Sequence, residues 1–171
     1  LGSLSRETPR ARLRLTAATL ELGFGSPFAC EPVADAHAEL ARLAKDLSVY
    51  ASLGIRRMDK VQVLDNVPSP LHPDAVAMDV GGLLPIFRSA SGLAAFSTLD
   101  DAEATSLRER SRSYYGGRWQ AMQRHLSRTK QEYSSKGYCT LVAGLSRDVA
   151  AVAVPIVPSG SDDIFVLGCG M

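Results

Sequence analysis

Residues 80–97 read Val-Gly-Gly-Leu-Leu-Pro-Ile-Phe-Arg-Ser-Ala-Ser-Gly-Leu-Ala-Ala-Phe-Ser, and the reading of this stretch decides the fold. Gly81 and Gly82 suit a tight turn at positive φ, so a strand arriving at Val80 reverses there. Pro85 fixes its own φ and blocks further strand pairing. Ser89 is placed to cap a short helix carrying Ala90, Gly92, Leu93, Ala94, Ala95 and Phe96. The small residues Ala90, Ser91 and Gly92 allow close approach to the first-turn amides, which suits a carboxylate or carbonyl oxygen. On pattern alone the plainer reading, a Gly-rich turn followed by an Ala-rich packing helix, is favoured.

Upstream of this stretch, Glu31 to Leu47 places Val33, Ala36, Leu40, Leu43, Ala44 and Leu47 at three- and four-residue spacing, an amphipathic helix lying on a sheet. Val49–Ile55 and Lys60–Val67 then read as strands around the turn 56–59. Pro68 to Pro73 is a loop by composition, and Val76, Met78 and Val80 alternate with polar or small residues as a third strand. Farther upstream, Leu1–Ser5 and Ala11–Leu15 read as two short strands around residues 6–10, with Arg6, Arg10, Arg12 and Arg14 making a basic window. A basic hairpin in isolation is most simply a solvated edge.

Downstream, Thr98 to Asp101 offers an N-cap for a charged helix near residues 102–112, and Gly116-Gly117 breaks it. Trp119, Met122, Leu126 and Tyr133 mark the stripe of a second helix ending at Gly137. Seven basic residues and one acid fall between Arg108 and Lys130. A solvated or dimer-facing surface explains them better than nucleic acid does, and helix packing explains Tyr114, Tyr115 and Trp119 as well as base stacking does. Tyr138–Val142, Val149–Val157 and Ile164–Leu167 are strands. Order and spacing thus give an α+β fold: a sheet of about five to six strands, mostly hairpin-joined, with helices covering one face.

The chain has 171 residues, 46% of them hydrophobic and 22% charged, which is one ordinary globular domain. A net charge of +1 excludes no partner class. No apolar run approaches the roughly 20 residues that span a bilayer, and the expectation is a cytoplasmic protein without a membrane partner. Cys30, Cys139 and Cys169 are too widely spaced for a disulfide framework or a metal knuckle. The start at Leu1 and the stop at Met171 inside an apolar segment suggest a piece of a longer protein.

The stretch 80–97 resembles the block G-x-x-L-P-x-H-x-S/T-A-x-G-K-A of the effector-binding domain of IclR-family bacterial transcriptional regulators. Gly81, Leu84, Pro85, Ser89, Ala90, Gly92 and Ala94 stand in matching places, whereas Phe87 replaces the usual His and Leu93 the usual Lys. The tail Val-Gln-Val-Leu-Asp-Asn-Val at 61–67 is similar to the family's strand Val-Val-Tyr-Leu-Asp-Arg-Val. Gly137-Tyr138, Val149, Ala153 and Pro155 follow its Gly-Tyr…Gly-Val-x-x-x-Ala-x-Pro-Val segment. The basic window followed by Leu13 to Gly23 resembles the wing of the family's winged helix-turn-helix and the linker helix after it.

The resemblance implies a GAF-like antiparallel sheet preceded by a wing hairpin and linker helix. Residues 1–15 would be a wing remnant, 16–29 the linker helix and 30–171 the effector domain, with the family's last helix missing. It also implies DNA contact by Arg6, Arg10 and Arg12, operator DNA as a partner of the longer protein, and a homodimer or tetramer. The apolar residues Leu13, Leu15, Leu20, Leu22, Phe24 and Phe28 fit that self-association. The implied effector pocket takes in Leu84, Phe87, Ala90, Ser91 and Gly92 on one side and Leu141, Ala151, Gly168 and Gly170 on the other. The family's acidic positions fall at 141–144, its pocket Cys at Ala151 and its two strand serines at Gly168 and Gly170. Each change removes a polar group, so the expected effector is a largely apolar carboxylate or carbonyl compound, larger than a two- or three-carbon acid.

No catalytic set competes. His37, His72 and His125 lack a second ligand at metal spacing, so neither a metal nor another cofactor is expected. Cys139 and Cys169 sit in or beside strands, where buried thiols are inert, and residues 89–92 lack a hydrolase elbow. Two other classes remain, a dimerisation module without a small ligand and a GAF-related enzyme with a reactive thiol.

Overall fold

The structure is a computed structural model, and it describes residues 4–7, 12–15, 31–71, 73, 79–142 and 149–171. Strands β1 (Leu4–Glu7) and β2 (Arg12–Leu15) form an antiparallel hairpin with Leu4 opposite Leu15 and Glu7 opposite Arg12. Arg6 and Glu7 therefore belong to the strand rather than to the expected turn, because the ladder runs on to Arg12. Arg10, the expected linker helix at 16–29 and residues 76–78 of the expected third strand lie outside the described residues, as does His72.

Helix α1 (Glu31–Leu47) buries Leu40 and Ala44 against Ala51 and Leu53, with Leu64, Phe165 and Leu167 around them. A 2.8 Å contact from His37 Nδ1 to Asp65 Oδ2 ties the helix to the sheet, and Asp65 also accepts from the Asn66 amide at 2.8 Å. His37 thus has a structural partner. Strands β3 (Tyr50–Arg57) and β4 (Lys60–Val67) pair through a turn at Met58 and Asp59, with Met58 at φ 55°. The turn is tighter than expected, because Arg56 and Arg57 continue the ladder opposite Val61 and Lys60.

The strand of the central stretch is not at Val80. Val80 and Gly81 form a turn, with Gly81 at φ 86°, and β5 (Leu83–Pro85) follows it and pairs with β4. Pro85 itself lies opposite Lys60. A proline without an N–H is tolerated there because β5 is the edge of the sheet. The order of the six-stranded sheet is β5-β4-β3-β8-β7-β6, all antiparallel, with β6 (Cys139–Val142), β7 (Ala150–Ile156) and β8 (Phe165–Gly170) completing it. The α+β class and the strand number are as expected.

Helix α2 (Ala90–Ser97) is buried at every position. A helix apolar all round must be enclosed on all sides, and this one lies between the sheet and helices α3 (Asp101–Tyr115) and α4 (Trp119–Lys136). Its Leu93, Ala94 and Phe96 join Val61, Ala153 and Val166 of the sheet with Leu107 of α3 and Leu126 of α4 in the main core. That core and the α1 core lie on opposite faces, so helices cover both faces rather than one. Phe165 and Leu167 of β8 pack toward α1 while Val166 between them packs into the main core, so this central strand is buried on both sides. On the α1 side, Val152, Val154 and Ile156 of β7 stay exposed.

The N-terminus of α2 is built by Ser89, whose Oγ accepts the Gly92 N–H at 3.0 Å while its hydroxyl donates to the Pro85 carbonyl at 2.9 Å. Ser89→Ala removes both bonds, and the urea midpoint is expected to report a loss of about 1 kcal/mol. Asp100 caps α3 in the same way, accepting the Glu103 N–H at 2.8 Å, and Gly137 at φ 77° ends α4.

Candidate functional site

Two rows of side chains cross the sheet beneath the N-terminus of α2. In one row the register sets Tyr50, Gly170, Ala151 and Leu141 side by side on β3, β8, β7 and β6. In the next, Ser52, Gly168, Ala153 and Cys139 stand in line. A recess of about 390 Å³, counting its solvent-open mouth, lies over this part of the sheet and takes in Gly168 but not Gly170. Its floor includes Tyr50, Ser52, Ala151 and Gly168, with Leu141 and the backbone of Val152. Its roof is Ser89, Ala90 and Ser91, and Leu84 and Val149 stand at its sides.

The polar groups at the roof are free to bind. Ser89 occupies the amides of Gly92 and Leu93, while those of Ala90 and Ser91 have no partner among the described residues. Ser91 is only 8% exposed, lines the recess, and its hydroxyl also lacks a partner among the described residues. A ligand oxygen at this hydroxyl gains a hydrogen bond without displacing one within the protein. No charged residue borders the recess among the described residues. An anionic or carbonyl oxygen would therefore be held by amides, hydroxyls and the positive end of the helix rather than by a counter-ion.

Six of the nine expected pocket residues, Leu84, Ala90, Ser91, Leu141, Ala151 and Gly168, come together around this recess. The other three do not line it. Phe87 is turned into the core, edge-on to Phe96 with centroids 5.2 Å apart and beside Tyr115 at 6.2 Å. Gly92 faces the backbone of Ile86, where a Cβ would lie 2.3 Å from the carbonyl oxygen. Gly170 is covered by the Tyr50 ring, within 2.5 Å of where its Cβ would be.

The expectation of a wall stripped of polar groups also needs correction. A Cβ on Gly168 would lie 2.9 Å from the Ser91 Oγ and 3.2 Å from the Ser52 Oγ, and one on Gly170 would lie 2.5 Å from the Tyr50 hydroxyl. Hydroxyls brought by β3 and α2 thus fill the space above both glycines. Tyr50 and Ser52 escaped the sequence reading because β3 and β8 are far apart in the chain. A signal was present: Gly168 and Gly170 alternate on one strand with the same period as Tyr50 and Ser52 on another.

The remaining candidates have structural surroundings. Burial pushes the Cys139 thiol up, against a 3.5 Å contact with Ser97 Oγ that lowers it, and burial pushes Cys169 up as well. Thiols held protonated are poor nucleophiles. Burial, helped by Arg128, lowers the His125 pKa. Among the described residues no three His, Cys, Asp or Glu gather to hold a metal, and no helix is long and apolar enough to cross a membrane. In the basic stretch 108–130, Trp119 is buried with its ring tilted against Tyr115 at 6.2 Å, so packing accounts for these two, whereas Tyr114 is exposed. Lys130 is held by Asp101 at 3.0 Å and the Leu99 carbonyl at 3.2 Å, and Arg108 lies over the Phe96 ring at 5.2 Å.

Comparison with known proteins gives a consistent result. The family model described as bacterial transcriptional regulator IclR C-terminal matches residues 31–162. The HTH-type transcriptional regulator TsaQ1/TsaQ2 of Comamonas testosteroni is 28% identical over 169 residues, which are 97% of this chain and 60% of that protein. The chain therefore spans well under two thirds of that relative's length. An IclR family transcriptional regulator from Brucella abortus superposes with a TM-score of 0.83 at 24% identity, over 99% of this chain and 64% of that one. An IclR homolog from Microbacterium hydrocarbonoxydans, solved in complex with 4-hydroxybenzoate, gives 0.67 at 21% identity over 99% of this chain and 70% of its own. Both likenesses concern the fold.

Proposed function

This chain belongs to the IclR family of bacterial transcriptional regulators, and from that premise we propose that it is the effector-sensing part of a cytoplasmic, DNA-binding regulator. Residues 31–171 would hold a small carboxylate or carbonyl effector in the recess under α2. The hairpin at 4–15, with Arg6, Arg10 and Arg12 in or beside it, would be the edge of a DNA-binding unit that a longer protein carries. Ligand occupancy would then bias a homodimer or tetramer on operator DNA.

One observation carries this reading: two amides and the hydroxyl of Ser91, a residue only 8% exposed, line one recess with no hydrogen-bond partner among the described residues. The enclosed part of the recess is about 30 Å³, room for one or two waters, so a ring-sized effector would sit partly in its open mouth with only its oxygen inside. The Microbacterium neighbour's 4-hydroxybenzoate has the oxygen chemistry such a site would take. Aliphatic walls at Leu84, Leu141, Val149 and Ala151 favour an apolar body.

A second reading, a dimerisation module without a ligand, is favoured by the exposed apolar residues Val152, Val154 and Ile156 on β7. Titration calorimetry separates the two. 4-Hydroxybenzoate and benzoate are expected to bind saturably, and glyoxylate at least about tenfold more weakly, since it leaves the aliphatic walls uncovered. Tight glyoxylate binding with no heat from either ring acid would overturn the proposal. No heat from any acid would favour the dimerisation module.

A further inference from the structure

We propose that the hydroxyls of Tyr50, Ser52 and Ser91 read two oxygen-bearing ends of one effector, with Gly168 and Gly170 as the positioning residues that make room for them. This rests on the effector-sensing reading above and deepens it by naming the ligand's chemistry. The ligand class is a ring-sized compound with an anionic or carbonyl oxygen at one end and a hydrogen-bonding oxygen at the other.

The argument is one of spacing. Ser52 and Ser91 converge over Gly168, next to the free amides of α2, whereas the Tyr50 hydroxyl stands over Gly170. Two residues along an extended strand separate these places by about 6.8 Å. That is comparable to the span between substituents across a para-substituted six-membered ring. The cluster over Gly168 offers two amides and two hydroxyls, enough for an oxygen with several lone pairs. Over Gly170 there is one phenol, which has no partner among the described residues. Burial, the larger cause, and Cys169 both push that phenol's pKa above its ordinary value, so it stands ready as a neutral donor. Ser52 spends its proton only on a long 3.4 Å bond to the Gly168 carbonyl, so the hydroxyl can turn to donate to a ligand oxygen instead.

Selectivity for the far oxygen follows. A site with a buried hydroxyl aimed at one ligand group rejects the analogue lacking it, because the hydroxyl is then stranded. The test is calorimetry on the whole chain with 4-hydroxybenzoate and benzoate as probes. The unaltered protein is expected to prefer 4-hydroxybenzoate by about tenfold. In Tyr50→Phe that preference should shrink to about twofold or less, whereas Ser91→Ala should weaken both acids by a similar factor of about fivefold. Gly170→Ala serves as a second route, since its new Cβ collides with the Tyr50 ring and should abolish the preference even if Tyr50→Phe folds poorly. A tenfold preference that survives both Tyr50→Phe and Gly170→Ala overturns the inference and leaves the effector-sensing reading standing. Failure of both probes to bind the unaltered protein overturns that reading and this inference together.

Discussion

Replacing Gly92 by alanine is expected to lower the stability of the domain by about 3 kcal/mol. In an ordinary helix interior the same change would stabilise, because glycine costs about 1 kcal/mol there relative to alanine. The sign reverses here because the new methyl would sit 2.3 Å from the Ile86 carbonyl oxygen, 2.4 Å from its Cα and 2.6 Å from its carbonyl carbon. All three are backbone atoms, so no side chain can swing away. The segment from Pro85 to Ser89 must move instead, and with it the two hydrogen bonds of the Ser89 cap. Urea unfolding should show a lowered midpoint with an unchanged slope. A neutral or raised midpoint would mean that the turn into α2 yields easily, and the close approach would then lose its structural meaning.

Ala151→Phe should reduce the affinity for ring acids at least about 100-fold, which corresponds to about 2.7 kcal/mol. Ala151 sits between Gly170 and Leu141 in the row that floors the recess, and the glycine beside it is already covered by Tyr50. A phenylalanine ring there has the open space in front of it as its natural place, and it occupies the volume a ligand would use. Overpacking costs about 1–3 kcal/mol of stability, so the thermal midpoint should be recorded alongside the titration. A folded Ala151→Phe protein that binds 4-hydroxybenzoate with undiminished affinity would place the ligand elsewhere. This test differs from the phenol test in reach: it asks whether the recess is the site at all, not which atoms in it discriminate.

Much of the fold is visible in local pattern. The cap at Ser89, the spacing of Leu40, Leu43 and Ala44, and the glycine at 137 each act within a few residues, and the structure has each where that logic puts it. Strand β5 was missed because a proline is read as a breaker, and only the strand's position at the sheet edge, a global property, makes Pro85 acceptable. The site divides along the same line. Ala90 and Ser91 are legible because the helix start and its small residues are contiguous. Tyr50 and Ser52 are not, because their place over Gly170 and Gly168 depends on β3 and β8 being neighbours across more than a hundred residues of chain. Phe87 is the converse: its place in the central stretch suggested the pocket, but a ring that can reach Phe96 and Tyr115 gains more from the core.

The hydroxyls above the two glycines also constrain how this protein can change. A serine restored at 168 alone would bring its Cβ within 2.9 Å of the Ser91 Oγ and 3.2 Å of the Ser52 Oγ, and one at 170 would strike the Tyr50 ring. A single step toward a side chain on β8 therefore needs the Tyr50 ring, or the Ser91 and Ser52 hydroxyls, to shift or shrink. Removing Tyr50 or Ser52 first, in turn, uncovers a bare glycine and leaves a gap. Each half of the exchange is costly without the other, so substitutions at 50 and 170, and at 52 and 168, should be strongly non-additive. Mutational routes to a new ligand preference in this recess would then run through paired replacements across β3 and β8, while Leu84 and Leu141 remain free to vary one at a time.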